Sequence, residues 1–355
     1  MEKKSAARRI GIADVALMAG VSHATVSRVM NGSFTVDPAI AARVRSAAET
    51  LKYQPNPLGR SLALGKTETI GILVPDLANP MFQAVLRGLS IAAAQDGYRV
   101  LIADSSETST EENILAAEAR RRGDGVVLCA PRMSDAELNQ LAPALQPMVL
   151  INRTASGDTP SLSVDYARGI QDLAEHLAGL GHRRLVFLSG PETSASNQLR
   201  LRGLRRFTRS HPDVELTILP CGVSFAAGQE AAAGVLATKA SGVMAFNDLV
   251  AMGLLSGLHE HGAQVPGDIS VTGFDDIPFA AYTSPPLTTA AVPLNELGED
   301  AWHQLRELLR TPSPVTRNTV YRTRIQARGS TGPAPGYVEA GPSAEDPTTP
   351  IPATS

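Results

Sequence analysis

Hydrophobic and polar positions follow a helical pattern over the first fifty residues of the chain. Apolar residues recur every three or four positions at Ile12, Val15, Ala16, Ala19, Val26 and Val29. This spacing predicts two short helices, separated by Gly20 and with Ser22 as the N-cap of the second. A third helix is predicted from Pro38 to about Leu51, because Asp37 can cap it and proline suits the first helical position. Two short helices joined by a glycine-containing turn indicate a helix-turn-helix, and the third helix closes a small headpiece.

From Thr69 onward the pattern changes to short β-rich runs that alternate with Ala-rich helical runs. Strands are predicted over residues 70–74, 99–103, 125–129, 147–151, 185–189, 216–220, 242–245 and 270–273. Helices are predicted over 81–95, 111–121 and 135–142, with more between the later strands. This alternation predicts parallel sheets with right-handed crossovers, and the two sets predict two lobes. The tail over 330–355 is rich in Pro, Gly, Ser and Thr and has no leucine heptads, so it is predicted to be disordered and not to form a coiled coil.

The composition is typical of a globular protein, but the charge is distributed unevenly. The 355 residues suit two or three domains, and 43% of them are hydrophobic and 19% charged. Residues 1–66 carry ten Lys or Arg and four acidic residues, a charge of +6, so the formal total of −3 leaves −9 for the remainder. A basic head on an acidic body indicates a polyanionic partner at the head. Because no apolar run is long enough for a membrane span and the N-terminus lacks a signal peptide core, we expect a cytoplasmic protein.

Nine short motifs stand in a characteristic order over about residues 10–330: DVA, AGVS, TVSRVMNG, TIGILVPD, NPMF, HLAGLGHRR, FND, GFDD and PPLTT. In this order the chain resembles the LacI/GalR family of bacterial transcriptional regulators. The resemblance implies an N-terminal all-α helix-turn-helix headpiece with a hinge helix. A bilobed α/β periplasmic-binding-protein-like domain, built from two doubly wound parallel sheets, is then expected to follow. The implied boundaries are 1–54 for the headpiece, 55–67 for the hinge helix and linker, and 68–329 for the bilobed effector-binding and dimerisation domain.

The resemblance also implies how the chain is divided between the two lobes. Three crossings are expected, near Ser163, Ala290 and Tyr321. The N-lobe would then comprise about residues 68–162 and 291–321, and the C-lobe about residues 163–290 and 322–329. A ligand is expected in the cleft between the lobes, outside the carboxyl ends of the strands.

The second helix of the headpiece is expected to contact double-stranded DNA. The resemblance and the side-chain chemistry assign this role to Ser22, His23, Ala24, Thr25, Ser27, Arg28 and Asn31. Hydroxyl and amide groups suit phosphates, and the fork of Arg28 suits O6 and N7 of guanine. His23 could donate to a guanine or a phosphate, and Ala24 could pack on a thymine methyl. In the hinge, Asn56 is a further candidate for DNA contact. Leu62 matches a family leucine that enters the minor groove as a wedge. The alternative is that Leu62 rests on the body of the protein.

Eight residues are predicted to contact a small effector in the cleft: Asn79, Met81, Phe82, Asp165, Ser196, Arg200, Asn247 and Asp275. Of these, Arg200, Asn247 and Asp275 are the main candidates. Their side chains together suit a polyhydroxylated ligand, because the carboxylate accepts from hydroxyls while Arg and Asn donate to oxygens. The alternative for each charged residue is a structural ion pair. Met244 stands where purine-binding members carry a stacking Phe, so a sugar, sugar acid or polyol is preferred, and its identity stays open.

The preferred interpretation is a homodimeric repressor of carbohydrate-utilisation genes that binds a pseudo-palindromic operator and is controlled by the effector. One alternative is a regulator that answers to a protein partner or a non-sugar metabolite. A solute-binding protein and an enzyme are less favoured, because there is no signal peptide, no G-x-G-x-x-G, no P-loop and no G-x-S-x-G. We therefore predict no catalytic residue and no cofactor. No metal is expected either, because the two cysteines are far apart and the pair His259 and His261 lacks further clustered ligands.

Overall fold

A computed structural model of the chain describes residues 10–30, 35–53, 65–154, 157–311 and 318–337. The chain divides into two compact units, Met1–Thr69 and Ile70–Ser355. Each unit has a hydrophobic core of its own. Among the residues described, no helix is both long and apolar enough to cross a membrane.

The first unit is a three-helix headpiece with helices α1 (Ile12–Ala19), α2 (His23–Met30) and α3 (Pro38–Thr50). Gly20 ends α1 with a φ of 63°, a left-handed conformation that glycine adopts without steric cost. Asp37 caps α3, since its carboxylate accepts a hydrogen bond of 2.8 Å from the backbone N–H of Ala39. Each helix contributes one fully buried valine to the core: Val15, Val26 and Val44. The predicted helix-turn-helix and its closing third helix are therefore confirmed.

The second unit contains two six-stranded sheets, which define the two lobes. In sheet order, the N-lobe strands are β11 (Asn318–Tyr321), β5 (Ser161–Val164), β4 (Met148–Ile151), β3 (Gly125–Cys129), β1 (Thr69–Val74) and β2 (Arg99–Asp104). The pairs β11–β5, β5–β4, β4–β3 and β3–β1 are parallel. The N-lobe helices are α4 (Pro80–Gln95), α5 (Ser109–Arg122), α6 (Asp135–Leu145) and α12 (Leu294–Arg310).

The C-lobe repeats this arrangement with one antiparallel edge strand. In sheet order its strands are β12 (Arg324–Gln326), β10 (Thr288–Ala291), β9 (Ser270–Asp275), β8 (Gly242–Ala245), β6 (Arg184–Ser189) and β7 (Glu215–Pro220). Only β12 runs antiparallel to its neighbour among the pairs described. Its helices are α7 (Tyr166–Gly179), α8 (Ala195–Ser210), α9 (Phe225–Glu230), α10 (Ala232–Ala237), α11 (Asp248–Glu260) and a 3₁₀ helix (Pro278–Tyr282).

The chain passes from one sheet to the other three times: after β5, after β10, and between β11 and β12. The first and third crossings are joined by a 2.9 Å hydrogen bond from the backbone N–H of Asp165 to the carbonyl oxygen of Tyr321. The hydroxyl of Tyr321 donates to Asp300 on α12, at 2.5 Å, and α12 follows the second crossing. Hydrogen bonds therefore connect the first crossing with the third, and the third with the helix that follows the second.

Helices α4 and α12 pack closely, although about two hundred residues separate them in sequence. A Cβ atom at Gly88 or Gly298 would overlap the backbone of the other helix, so the two glycines permit this approach. Trp302 on α12 is fully buried, and its indole N–H donates to the carboxylate of Asp96 at 2.8 Å. The N-lobe core thus depends on a helix from the late part of the chain.

The segment 330–337 is ordered, so the prediction that disorder starts at residue 330 is wrong. Ser330 is fully buried, and its hydroxyl donates to the carbonyl oxygen of Val271 at 2.6 Å. Its Oγ also accepts from the backbone N–H of Thr288 at 2.8 Å. A ring nitrogen of His182 lies 3.1 Å from the carbonyl oxygen of Gly332. These hydrogen bonds hold the segment on the C-lobe, and a composition rich in polar residues does not reveal them. Residues 338–355 lie outside the part that the structure describes.

Candidate functional site

A cleft between the two lobes lies at the carboxyl ends of the strands of both sheets, and its volume is about 370 Å³ when the part that is open to solvent is included. Seven of the eight predicted effector residues line it: Asn79, Met81, Phe82, Ser196, Arg200, Asn247 and Asp275. Six further residues complete the lining: Glu107, Ala130, Arg132, Tyr166, Val223 and Phe246. The position of this cleft is the usual ligand site of doubly wound sheets.

Arg200, on α8, is 2% exposed and lies among aromatic rings. Its guanidinium carbon is 4.3, 4.5 and 4.1 Å from the ring centroids of Tyr166, Phe246 and Phe274. Burial lowers the pKa of the guanidinium, whereas the ring faces stabilise the cation. Neither Nε nor Nη1 has a hydrogen-bond partner among the residues described. Two buried N–H donors without a partner indicate a ligand that accepts hydrogen bonds.

Asp275 ends β9 and is 3% exposed, with a φ of 109°. Burial raises the pKa of its carboxyl group to about 7, and the positive charge of Arg200 opposes this shift. The carboxyl group is therefore present in both protonation states near neutral pH. It can accept a hydrogen bond from a hydroxyl group when ionised and donate one when protonated.

Two predicted ligand contacts, Asn79 and Asn247, are also helix N-caps. The amide oxygen of Asn79 accepts from the backbone N–H of Met81 at 2.9 Å, at the start of α4. The amide oxygen of Asn247 accepts from Val250 N–H at 2.8 Å, and its amide nitrogen donates to the carbonyl oxygen of Val223 at 3.0 Å. Asn247 thus fixes the C-lobe wall, which limits what it offers to a ligand. Asn79 keeps its amide N–H₂ group for that purpose.

The sequence did not identify three polar residues of the lining, Glu107, Arg132 and Tyr166. Arg132 and Glu107 form a bidentate ion pair, with distances of 2.6 Å from Nε to Oε2 and 2.9 Å from Nη2 to Oε1. The hydroxyl of Tyr166 accepts from the amide of Asn152 at 2.9 Å, and burial raises its pKa. Glu107 and Arg132 lie on different loops, so no local spacing reveals their pairing. For Tyr166 the sequence did offer a signal, because a residue at the first crossing is expected to lie near the cleft between the lobes.

Asp165 does not line the cleft, unlike the other predicted effector residues. It caps α7, since its carboxylate accepts from the backbone N–H of Arg168 at 3.0 Å. Ser196 does line the cleft, and its hydroxyl lies 2.9 Å from that of Ser194. At the first crossing, Asp165 therefore caps a helix, and the next residue, Tyr166, lines the cleft.

The headpiece presents the predicted contacts of α2 on its surface. Ser22, His23, Ala24 and Arg28 are exposed, and Thr25 and Ser27 are half-buried. The hydroxyls of Ser22 and Thr25 lie 2.9 Å apart, and Ser22 Oγ accepts from the Thr25 backbone N–H at 3.2 Å. The helix thus begins with a polar, capped turn, which is the part that enters the major groove in this motif. Three other predicted contacts, Asn31, Asn56 and Leu62, lie outside the described residues.

Within the described part of the chain, no group of three or more His, Cys, Asp or Glu side chains is arranged to hold a metal ion. Both cysteines are free thiols, Cys129 buried and Cys221 half-buried. Burial raises the pKa of Cys129 to about 12 and that of Cys221 to about 11. Neither is therefore a reactive thiolate at neutral pH.

A helix-turn-helix headpiece joined to a two-lobed domain with an interlobe cleft defines the class: a DNA-binding protein with a periplasmic-binding-protein-like domain. Residues 11–56 match the bacterial regulatory proteins of the lacI family, and residues 174–331 match the periplasmic binding protein-like domain. The HTH-type transcriptional repressor CytR of Escherichia coli K12 is 32% identical over 329 residues, which cover 91% of this chain and 96% of CytR. The chain belongs to the LacI family of bacterial regulatory proteins.

Two solved structures extend the comparison. The lac repressor dimer bound to operator and the anti-inducer ONPF aligns with a TM-score of 0.82 and 25% identity, covering 92% of this chain and all of that chain. A LacI family transcriptional regulator from Enterococcus faecium, with bound ribose, aligns with a TM-score of 0.68 and 28% identity over 75% of this chain and 99% of that chain. The fold of this chain is therefore that of a LacI-family regulator.

Proposed function

We propose that this chain is a cytoplasmic, homodimeric transcriptional repressor that binds a pseudo-palindromic operator and controls genes for carbohydrate use. A small polyhydroxylated effector binds in the interlobe cleft and changes the closure of the lobes, and this change alters operator affinity. The two effects form one coupling free energy, so operator binding changes effector affinity by the same factor.

The observation that carries the proposal is the cleft itself, with Arg200 at its centre. Two guanidinium N–H donors lack a partner among the described residues, and Asp275 offers a carboxyl group that accepts or donates near neutral pH. Aromatic faces surround Arg200, and Phe82 adds an apolar surface on the N-lobe side. Donors, an acceptor and apolar faces together suit a sugar or polyol. The ribose bound by the Enterococcus faecium relative supports the same ligand class.

A titration on DNA tests the proposal directly. A labelled palindromic operator from the upstream region of the gene is titrated by fluorescence anisotropy in the presence of single sugars, sugar acids, polyols or nucleosides. We expect one compound to change operator affinity about tenfold or more, equivalent to about 1.4 kcal/mol of coupling. The direction of the change identifies an inducer or a corepressor.

Arg200→Ala is the informative variant, and Arg202→Ala is its matched control on the same helix, where Arg202 is exposed. Arg200→Ala should keep operator binding and lose the response, whereas Arg202→Ala should keep both. Tight operator binding without a response to any compound would contradict the effector proposal. It would favour the alternative regulator, which answers to a protein partner or a non-sugar metabolite.

A further inference from the structure

The N-lobe wall of the cleft carries the ion pair between Glu107 and Arg132. All three guanidinium nitrogens of Arg132 are engaged, two by the carboxylate of Glu107 and Nη1 by the carbonyl oxygen of Ala130 at 2.9 Å. The side chain of Arg132 is 5% exposed, whereas that of Glu107 is 25% exposed. Since both residues line the cleft, a ligand meets the carboxylate of Glu107 rather than the donors of Arg132.

A buried carboxylate holds Arg132 in this position. Glu112 is fully buried, and its carboxylate accepts from the backbone N–H of Arg132 at 2.7 and 2.8 Å and from that of Met133 at 2.7 Å. Glu107 is held separately, since its backbone N–H donates to the carbonyl oxygen of Pro75 at 2.7 Å. The pair therefore belongs to a fixed wall.

The backbone at Glu107 is in an unfavourable conformation. Ser106 and Glu107 have φ values of 49° and 59°, the left-handed region that residues other than glycine rarely adopt. Asp275, across the cleft, has a φ of 109°. Such conformations persist only where the surroundings impose them, and they concentrate at functional sites.

The cleft is lined by as many acidic as basic side chains. Two acidic side chains, Glu107 and Asp275, and two basic ones, Arg132 and Arg200, line it. Because burial raises the pKa of Asp275 to about 7, Glu107 is the acid of the lining that stands in an ion pair, and Asp275 is ionised in part. On the N-lobe wall, an acidic ligand would meet the negative charge of Glu107 and would find the bidentate fork of Arg132 already filled by a carboxylate. A neutral ligand avoids both penalties and can donate hydroxyl hydrogen bonds to Glu107.

We propose that the Glu107–Arg132 pair is the selectivity element of the cleft and makes it prefer a neutral polyhydroxylated effector to the corresponding acid. Glu107 fills the site that the carboxylate of a sugar acid would occupy and presents a fixed acceptor to the hydroxyl groups of a neutral ligand. The inference rests on the proposed function in taking the cleft as the effector site.

Two variants with opposite changes of charge test this inference. Glu107→Gln raises the charge of the wall by one unit, and Arg132→Gln lowers it by one unit. The probes are matched neutral and acidic ligands: glucose with gluconate and glucuronate, galactose with galacturonate, and ribose with ribonate. The ratio of neutral to acid affinity is measured by calorimetry on each full-length protein. Because both ligands meet the same protein, general damage to the fold changes both affinities and leaves their ratio unchanged.

The wild type should prefer the neutral member of at least one pair by about tenfold or more. Glu107→Gln should move the ratio toward the acid by about tenfold, and Arg132→Gln should move it the other way. Glu111→Gln is the matched control, because Glu111 is exposed at the start of α5 and does not line the cleft. It should leave the ratio unchanged.

Three results would overturn the inference. A wild type that prefers the acid, or a ratio that both variants leave unchanged or move in the same direction, contradicts it while the effector proposal stands. If the wild type binds no member of any pair, the inference falls. A response to another compound in the operator titration would then keep the effector proposal, whereas no response to any compound would contradict both. Calorimetry and the operator titration together thus separate the two failures.

Discussion

The carboxyl group of Asp275 is subject to two opposing influences. Burial favours its neutral form, and the positive charge of Arg200 favours its ionised form; burial dominates, because the pKa is raised to about 7. In the unfolded chain an aspartate ionises near pH 4, since its ordinary pKa is 3.8. Between these two values the folded state binds more protons than the unfolded state. The contribution of Asp275 to the free energy of unfolding therefore falls as the pH rises from about 4 to about 7.

Asp275→Asn should remove this contribution. We expect the stability of the variant relative to wild type to increase by about 1–3 kcal/mol between about pH 5 and about pH 8, since each unit of pKa shift corresponds to about 1.4 kcal/mol. Parallel melting curves of the two proteins, without effector, measure the difference. The pKa of Asp248 is raised by burial and by the negative charge of Asp275, so Asp275→Asn also lowers the pKa of Asp248. This secondary change acts in the same direction and is part of the measured difference. A constant difference across this pH range would contradict the assignment.

Single residues of the cleft could be predicted only in part. Arg200 and Asp275 were accessible because they stand at motif positions, GFDD for the latter. The pairing of Glu107 with Arg132 joins two loops 25 residues apart, and no periodicity of the sequence encodes it. Asp165 was predicted to contact the effector, but its carboxylate caps α7 instead. A carboxylate next to a strand end suits either role, so the sequence did not distinguish them. Sequence reasoning therefore found the C-lobe half of the site better than the N-lobe half.

At the scale of elements, α2 combines a buried face with an exposed face over eight residues. Val26 and Val29 are buried, while His23 and Arg28 are exposed on the other side. Because the apolar face is already used by the headpiece core, the exposed face is available for recognition. The base contacts that we propose for this helix would therefore leave its own packing intact.

Arg28→Ala should cost about 1–3 kcal/mol of operator binding and relax the base preference at one position of each half-site. Operators with single base substitutions, titrated in parallel, measure both effects. Arg45→Ala removes the same charge from an exposed position of α3 and should leave the base preference unchanged. If Arg28→Ala weakened binding to all operators equally, Arg28 would contact a phosphate.

The strands that sequence reasoning missed are those at and next to the crossings. β5 and β10 have the sequences SLSV and TTAA, which lack a long apolar run. In β10, Thr288 and Thr289 are fully buried, and the Thr289 hydroxyl donates to Asp248 at 2.6 Å. A strand whose buried positions are filled by hydrogen-bonded hydroxyls has no hydrophobic signature. The central strands and their helices, by contrast, were predicted within a few residues of their observed ends.

At the scale of the whole molecule, one edge of the N-lobe sheet bears apolar side chains that a monomer would leave in water. Leu101 and Ile102 on β2 are 40% and 49% exposed, and Ile91 on the adjoining α4 is 51% exposed. An edge strand with exposed apolar residues is suited to association. We therefore expect the dimer to bury this edge.

Ile102→Asp should weaken the dimer about tenfold or more, because it places a charge in an apolar contact. Sedimentation equilibrium over a range of concentrations measures the dissociation constant. Val320→Asp is the matched control: Val320 is 62% exposed on β11, at the opposite edge of the same sheet. Equal effects of the two substitutions, or none from Ile102→Asp, would place the dimer contact elsewhere.

The packing of α4 against α12 has a consequence for the protein while it is being made. The ribosome completes α4 at Gln95 but reaches α12 only at Leu294, about two hundred residues later. At typical bacterial elongation rates that interval is roughly 10 to 40 seconds, during which the face of α4 at Val85 and Leu89 lacks the helix that carries Gly298. The headpiece finishes before this period and both lobes after it. The nascent chain is thus most exposed to aggregation and to chaperone binding halfway through its synthesis.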